Sequence, residues 1–257
     1  MEFKTIKYEK ANGIAWITLN RPHVLNAMNM QMYKELVAAI DDAEKDNEVR
    51  VVVITGEGRA FCSGADISDF LIANRGINEW LDYAKITLDA IEKIEQCSKP
   101  VIAAVNGYAY GGGLELTLVC DVVIASENAM FAVPEGRIGI APGVATSRLQ
   151  DILGKHRALE LMLTGEPISA QEAERISLVN KVVPAGELRK AVEDMAEKMK
   201  RVAPLSHKAI KELWRTYIAP RNWDYWYTVF PLLMTSEDAK EGIQAFFEKR
   251  QPVWKGK

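Results

Sequence analysis

Short apolar β-branched runs alternate with amphipathic stretches through most of the chain, and this alternation predicts an α/β core. Apolar residues recur at helical spacing over 29–45 and 78–97, which predicts two helices that cover a sheet. Runs such as Val51–Thr55 are β-branched throughout, as in strands buried on both faces of a parallel sheet. The predicted strands are 14–19, 51–55, 100–105, 121–125 and 179–183.

From residue 185 onward the pattern changes to helical spacing almost throughout. It predicts helices over 185–202, 204–217 and 236–248, and Ser236 is a suitable N-cap for the last of them. We therefore predict an α/β core over 1–190 and a helical C-terminal region over 191–257. That region is too short and too amphipathic to bury its apolar faces without a partner surface.

Composition narrows the class of protein. The 257 residues are 48% hydrophobic and 26% charged, and the formal net charge of −3 argues against a general nucleic-acid surface. We see no apolar run of membrane-spanning length and no secretory leader, so we expect a cytoplasmic protein without a membrane partner. The three cysteines and three histidines lack the spacing of a disulfide framework or a metal site, and we expect no metal.

A glycine run followed by two glutamates is the best candidate for chemistry. Gly111, Gly112 and Gly113 open an apolar segment, where close backbone approach and a helix N-terminus can together hold a developing oxyanion. Glu115 lies one turn into that helix among apolar neighbours, and Glu135 follows in a turn. Each has a simpler interpretation: Glu115 can complement the helix dipole, and Glu135 can be a solvated turn acid.

The loop over 58–67 is a second candidate, because it consists of small residues and follows a predicted buried strand. The glycine run also follows such a strand. Ligands of open α/β folds bind beyond the carboxyl ends of strands, so both segments can face one site. A tight surface turn explains the loop equally well, and Cys62 in it is better explained as a small packed residue than as a nucleophile.

Several motifs, taken together, resemble the crotonase (enoyl-CoA hydratase/isomerase) superfamily, and most of all its two-glutamate enoyl-CoA hydratases. The similarity runs in order through essentially the whole chain. Its motifs are Leu19-Asn20-Arg21-Pro22, Leu25-Asn26-Ala27, Phe61-Cys62-Ser63-Gly64-Ala65-Asp66-Ile67, the segment from Asn106 to Leu116, Cys120-Asp121, Pro134-Glu135, Pro142-Gly143, Leu163-Thr164-Gly165 and Glu241-Gly242.

The resemblance implies a spiral of ββα units, C-terminal helices that cover the site and mediate trimerisation, and trimers that often pair into hexamers. It implies an acyl-CoA thioester as substrate and no separate cofactor. The backbone N–H groups of Ala65 and Gly112 would form the oxyanion hole, Glu115 and Glu135 the acid/base pair, and Gly143 would position water. The implied coenzyme A contacts are Val24, Ser63, Asp66, Ile67 and Lys249, and the implied acyl-pocket residues are Trp80 and Val144.

The activity implied is the reversible syn hydration of a short or medium 2-enoyl-CoA to a 3-hydroxyacyl-CoA. Two carboxyl groups in one apolar pocket suit this reaction, because mutual repulsion keeps one of them protonated. A carnitinyl-CoA dehydratase-like enzyme and an enoyl-CoA isomerase are alternatives within the family. More distant alternatives are an RNA-binding member and a protein that binds acyl-CoA without turnover.

This chain departs from the family pattern near the phosphates of coenzyme A. His23 and Ser68 stand where lysines are common, so the phosphate contacts are expected from Arg21, Lys249 or Arg250. A solvated helix end explains Lys249 and Arg250 equally well. The aromatic residues over 223–230 are expected to pack between terminal helices or at a subunit contact, with a wall of the acyl pocket as the alternative.

Overall fold

The computed structural model describes residues 2–71, 76–217 and 230–253, and over these residues two sheets carry the fold. The larger has six strands, of which the first pair is antiparallel and the others are parallel. In spatial order they are β1 (Ile6–Ala11), β2 (Ile14–Leu19), β3 (Val51–Gly56), β5 (Val101–Val105), β7 (Val122–Ser126) and β10 (Lys181–Val183). The strands predicted from apolar runs all lie in this sheet, where β5 is buried along its whole length.

The smaller sheet has four short strands in the described part of the chain. They are β4 (Ala60–Cys62), β6 (Tyr108–Tyr110), β8 (Met130–Ala132) and β9 (Ile168–Ser169), in that spatial order. A strand of the larger sheet is followed at once by one of the smaller sheet three times, as β3–β4, β5–β6 and β7–β8. This repetition confirms the predicted spiral of ββα units, although the individual short strands were not predicted.

Helices cover both sheets, and three of the described α-helices begin at a side-chain N-cap. Asn29, Ser169 and Ser236 each accept a hydrogen bond from a backbone N–H of the first turn. The helices are α1 (Met30–Lys45), α2 (Ile77–Gln96), α3 (Gly112–Leu118), α4 (Val144–Leu153), α5 (Lys155–Thr164), α6 (Ala170–Arg175), α7 (Leu188–Lys200), α8 (Pro204–Tyr217), α9 (Phe230–Thr235) and α10 (Glu237–Glu248). Among the described helices none is long and apolar enough to span a membrane.

The last helix packs closely on a turn of the core. A 3₁₀ turn, Glu135–Ile138, follows β8 and lies against α10. A β-carbon at Gly139 would lie 2.7 Å from the Asp238 carbonyl oxygen, and one at Gly242 would lie 2.5 Å from the Ile138 carbonyl. Glycines at these two positions therefore allow α10 to reach the backbone of the turn. The aromatic residues over 223–229 lie outside the described residues.

Candidate active site

The backbone N–H of Ala65 is oriented by a short parallel bridge to Met28. Met28 N donates to the Gly64 carbonyl at 2.8 Å, and Asp66 N donates to the Met28 carbonyl at 2.9 Å. Successive N–H groups of an extended segment point to opposite sides. The Ala65 N–H therefore points away from Met28, toward the start of α3.

The glycine run brings the N-terminus of α3 against this loop. Gly113 packs on the backbone of β4, and a β-carbon there would lie 2.7 Å from the Cys62 carbonyl carbon. A β-carbon at Gly112 would lie 3.5 Å from the Ala65 nitrogen, and one at Gly64 would lie 3.4 Å from the Gly112 nitrogen. The structure therefore brings the two predicted oxyanion donors together, at a helix end whose first N–H groups have no partners within the helix.

Gly111 faces the second glutamate. Its φ is +53°, in the region that favours glycine, and a β-carbon there would lie 3.1 Å from Oε1 of Glu135. Two constraints therefore favour glycine at position 111: its positive φ, and the Glu135 carboxyl, which occupies the space that a side chain would need. This contact places Glu135 beside the predicted oxyanion site.

Glu115 is buried, with a 5% exposed surface, on the first turn of α3. Its Oε1 accepts a hydrogen bond from the Ala145 N–H at 3.0 Å, at the N-terminus of α4. Burial raises the pKa of Glu115 to about 7, although the N–H groups of Ala145, Gly143 and Val144 lower it. The carboxyl therefore changes charge near neutral pH, which suits a general base.

Glu135 is half-buried as a residue, but its Oε2 is inaccessible to solvent and has no hydrogen-bond partner among the described residues. Burial raises the pKa of Glu135 well above its usual range, and the negative charge of Glu115 raises it further. Glu115 therefore ionises first, and Glu135 holds its proton to a higher pH than Glu115 does. Such a difference between two neighbouring carboxyls would suit the acid/base pair predicted from the sequence.

The two predicted acyl-pocket residues lie in different apolar clusters. Val144 is buried in the main core at the start of α4. Trp80 belongs to an aromatic cluster with Phe70, Tyr83 and Phe230, and this cluster packs against Ala65 and Ile67. The Tyr83 and Phe230 rings are stacked at 6.1 Å, and Trp80 meets Phe70 edge-on at 5.7 Å. The aromatic cluster therefore adjoins the loop that carries Ala65. The backbone N–H of Val144 lies near the Glu115 carboxyl.

The predicted coenzyme A contacts are divided between the loop with its neighbour Val24 and the C-terminal end of α10. Ser63 Oγ donates to the Val24 carbonyl at 3.3 Å, so these two residues lie together at the start of the loop. Lys249 ends α10 with φ +54° and an exposed side chain. Of the other cations proposed for phosphate, Arg250 forms an ion pair with Glu241 at 2.5 Å and Arg21 with Asp66 at 2.7 Å.

Asn26 is a residue of the site whose role sequence reasoning missed. It is fully buried, its Oδ1 accepts from the Arg21 N–H at 2.9 Å, and its Nδ2 donates to the Glu57 and Ala60 carbonyls at 2.9 and 2.8 Å. It thereby joins the segment 21–27 to the β3–β4 connection. The motif Leu25-Asn26-Ala27 marks the position in the sequence, but only the fold shows which carbonyls the amide reaches.

A comparison of the whole chain with protein families gives one match over nearly its full length. The model of the enoyl-CoA hydratase/isomerase family matches residues 9–257. The chain belongs to the enoyl-CoA hydratase/isomerase family. This confirms the superfamily membership predicted from the glycine run and the motifs around it.

Individual members of the enoyl-CoA hydratase/isomerase family are similar over nearly their whole length. A 2,3-dehydroadipyl-CoA hydratase from Escherichia coli K12 is 40% identical over 250 residues, which cover 94% of each chain. A short-chain-enoyl-CoA hydratase from Clostridium acetobutylicum is 38% identical, over 98% of this chain and 97% of its own. A crystal structure of carnitinyl-CoA hydratase from Mycobacterium avium is 39% identical, covers 98% of this chain and 99% of its own, and superposes with a TM-score of 0.87.

Because the pKa of Glu135 is raised in the folded protein, we expect the free energy of unfolding to decrease as pH rises. Between the unfolded pKa and the higher folded pKa the folded protein binds more protons, so stability falls as pH rises through that window. Each unit of difference between the folded and the unfolded pKa changes the free energy of unfolding by about 1.4 kcal/mol. Each kcal/mol in turn shifts Tm by roughly 2–4 °C. Glu135→Gln removes this decrease, so its Tm should exceed that of the wild type by more at pH 8 than at pH 5.

Thermal unfolding followed by circular dichroism at both pH values measures this difference. Glu9→Gln, at an exposed position of β1, is the control and should show the same small difference at both. An equal Tm difference at pH 5 and pH 8 for Glu135→Gln would show that Glu135 carries no raised pKa.

Proposed function

We propose that this protein catalyses the reversible syn hydration of a short or medium 2-enoyl-CoA to the 3-hydroxyacyl-CoA. The observation that carries the proposal is the pair Glu115 and Glu135, whose pKa values are raised to different degrees beside two convergent backbone N–H groups. Hydration of a conjugated thioester needs a base for water, an acid for the α-carbon and stabilisation of the thioester oxygen. Glu115, Glu135 and the two N–H groups would supply these three functions.

In the proposed reaction, the Glu115 carboxylate takes a proton from a water molecule, and the water oxygen bonds to the β-carbon of the substrate. The π electrons move onto the thioester oxygen, where the N–H groups of Ala65 and Gly112 stabilise the charge. The Glu135 carboxylic acid then protonates the α-carbon. Proton transfer from Glu115 to Glu135, directly or through solvent, restores the starting state, and all steps run in reverse for dehydration.

Gly143 would help to place the water. Its N–H lies among the groups that face the Glu115 carboxyl at the start of α4. A water held between Glu115 and this helix N-terminus would be fixed before it attacks. We propose this positioning role for Gly143 through its backbone alone.

We further propose that the loop binds the coenzyme A portion through Val24, Ser63, Asp66 and Ile67, with Lys249 near the phosphates. The Asp66 carboxylate is engaged by Arg21 and Ser68, so its own contact would use its backbone carbonyl. Trp80 and Val144 would border the acyl group. The contact of the aromatic cluster with Ala65 supports Trp80 as a limit on acyl-chain length.

The exposed apolar face of α8 supports the proposal of self-association as trimers or pairs of trimers. Its side chains are exposed by 59–81%, which is unusual for large apolar residues clustered on one helix. They are Leu205, Ile210, Leu213 and Trp214. We also propose that the protein is cytoplasmic, which its three free cysteines support.

A carnitinyl-CoA dehydratase-like activity is the second candidate. The similarity to the Mycobacterium avium carnitinyl-CoA hydratase structure, at 39% identity, favours it over isomerisation. Both candidates use the same acid, base and oxyanion donors. They differ in the substituent on the acyl group, so substrate preference separates them.

The decisive experiment mixes the purified protein with crotonyl-CoA and follows the absorbance of the conjugated thioester. We expect rapid loss of absorbance with 3-hydroxybutyryl-CoA as product, and a rate that falls as the acyl chain is lengthened. Faster turnover of crotonobetainyl-CoA than of crotonyl-CoA would favour the second candidate. Binding of these thioesters without chemistry would refute hydration.

A further inference from the structure

Ala65, the proposed oxyanion donor, lies between the two backbone hydrogen bonds that join Gly64 and Asp66 to Met28, and the nearest further backbone bond to the segment 25–28 is that of the Ser63 N–H to the Leu25 carbonyl at 3.0 Å. An oxyanion donor must be fixed to within a fraction of an ångström. The contacts next to Ala65 therefore decide how well it is held.

The neighbouring Asp66 side chain supplies such contacts. Its Oδ2 accepts from Arg21 Nη1 at 2.7 Å, and its Oδ1 accepts from the Ser68 N–H and Oγ at 3.1 and 2.6 Å. The ion pair is shielded, with side-chain exposures of 16% for Arg21 and 12% for Asp66. A charge-assisted bond in such a place is stronger than one at the surface.

Arg21 also binds the opposite side of the bridge. The same Nη1 donates to the Ala27 carbonyl at 2.7 Å, one residue before Met28. The guanidinium therefore connects the residue before Met28 with the residue after Ala65, across the bridge that orients the Ala65 N–H. Asn26 in turn anchors the Arg21 backbone.

We propose that the Arg21–Asp66 ion pair positions the Ala65 N–H for the developing oxyanion. This inference rests on the proposed function, and it makes the side chains of Arg21 and Asp66 positioning groups, so that Arg21 is not the partner of a coenzyme A phosphate. Ser68 completes the arrangement by donating to the second oxygen of Asp66.

The charge state of Asp66 agrees with this role. Burial raises the pKa of Asp66, but the hydrogen bonds from Ser68 and Arg21 lower it more, and the net shift is downward. The carboxylate is therefore ionised throughout the pH range of the assay.

The test combines turnover with a spectroscopic probe of carbonyl polarisation. We would measure kcat and KM for crotonyl-CoA, and the absorbance of bound 4-(dimethylamino)cinnamoyl-CoA, which moves to longer wavelength when its thioester carbonyl is polarised. Asp66→Asn and Arg21→Met should lower kcat by about 10- to 100-fold, with KM changed by less than about threefold. Both should also reduce the wavelength shift of the bound probe.

Milder variants keep the test informative if those proteins fold poorly. Ser68→Ala removes only the 2.6 Å hydrogen bond, so it should give a smaller loss of kcat and of the shift. Arg21→Lys keeps the charge and should recover part of both. Glu44→Gln is the matched control, because the Glu44 carboxylate also accepts from a cation, Lys93, and from a backbone N–H, that of Ser98. These residues lie at the C-terminal ends of α1 and α2.

Wild-type kcat and an unchanged probe shift in Asp66→Asn and Arg21→Met would overturn the inference. So would a rise in KM alone, which would indicate a contact with coenzyme A. The probe needs no turnover. If the wild type shifts its spectrum but does not hydrate crotonyl-CoA, the proposed function fails, while the probe shifts of the variants still test the positioning role.

Discussion

Replacing either Glu115 or Glu135 with glutamine should lower kcat for crotonyl-CoA hydration by about 10²–10⁴-fold, which is the usual contribution of a general acid or base. Glutamine keeps the shape of the side chain but can neither take the proton from water nor deliver one to carbon. The oxyanion donors remain in both variants, so affinity for the unreactive product analogue butyryl-CoA should stay within a few-fold of the wild type.

The pH dependence of kcat should identify the two roles. Because the pKa of Glu115 is raised to about 7, hydration should increase with pH as this base ionises. At higher pH activity should fall, since Glu135 must keep its proton and its pKa is raised further by the charge of Glu115. Steady-state rates from pH 5 to pH 10 measure both limbs.

Glu35 provides a matched control for these substitutions. It is as buried as Glu115, with 5% exposure, but its carboxylate accepts from Thr5 and the Lys4 N–H, just before β1. Glu35→Gln should change stability and leave kcat near the wild-type value. Near-full hydration by Glu115→Gln or Glu135→Gln would remove that residue from the mechanism.

The second large effect should come from Gly113→Ala, as a loss of stability. Its β-carbon would overlap the carbonyl group of Cys62, whose carbon lies at 2.7 Å, so the start of α3 must move away from β4. Overpacking against rigid backbone should cost roughly 3–5 kcal/mol and lower Tm by about 10 °C. Thermal unfolding and the yield of soluble protein measure this effect.

Gly136→Ala is the control for Gly113→Ala. It shows whether the loss of stability comes from the close contact at position 113 or from replacing any glycine with alanine. Apart from the two chain neighbours, no heavy atom of the described residues lies within 4 Å of a β-carbon at Gly136, so this variant should unfold within a few degrees of the wild type. A Gly113→Ala protein with wild-type Tm would show that α3 and β4 do not approach each other as described.

The larger sheet and most helices could be predicted from the sequence, because local patterns encode them. Ile14–Leu19 and Pro204–Tyr217 were predicted with the boundaries that the structure has. The strands of the smaller sheet could not be predicted, since a three-residue strand such as Tyr108–Tyr110 has no measurable period. Only its pairing with two neighbouring strands makes it a strand.

The candidate site likewise has features that the sequence predicts and features that it does not. The apolar neighbours of Glu115 indicated its burial, and the glycine run indicated a close backbone approach. Glu135 has no comparable local signal, because its environment comes from Gly111 and Glu115, which lie far from it in sequence. The ion pair of Arg21 with Asp66 also joins distant segments, so it could not be predicted from the sequence.

The packing of α10 on the Glu135 turn has a consequence for biosynthesis. When both sheets, the loop that carries Ala65 and the neighbours of Glu115 have emerged from the ribosome, the helix that packs on the Glu135 turn has still to emerge. The nascent protein would thus form the surroundings of Ala65, Gly112 and Glu115 before the Glu135 turn is packed in place. The complete site would then form only after residues 237–248 have left the exit tunnel and packed onto the turn.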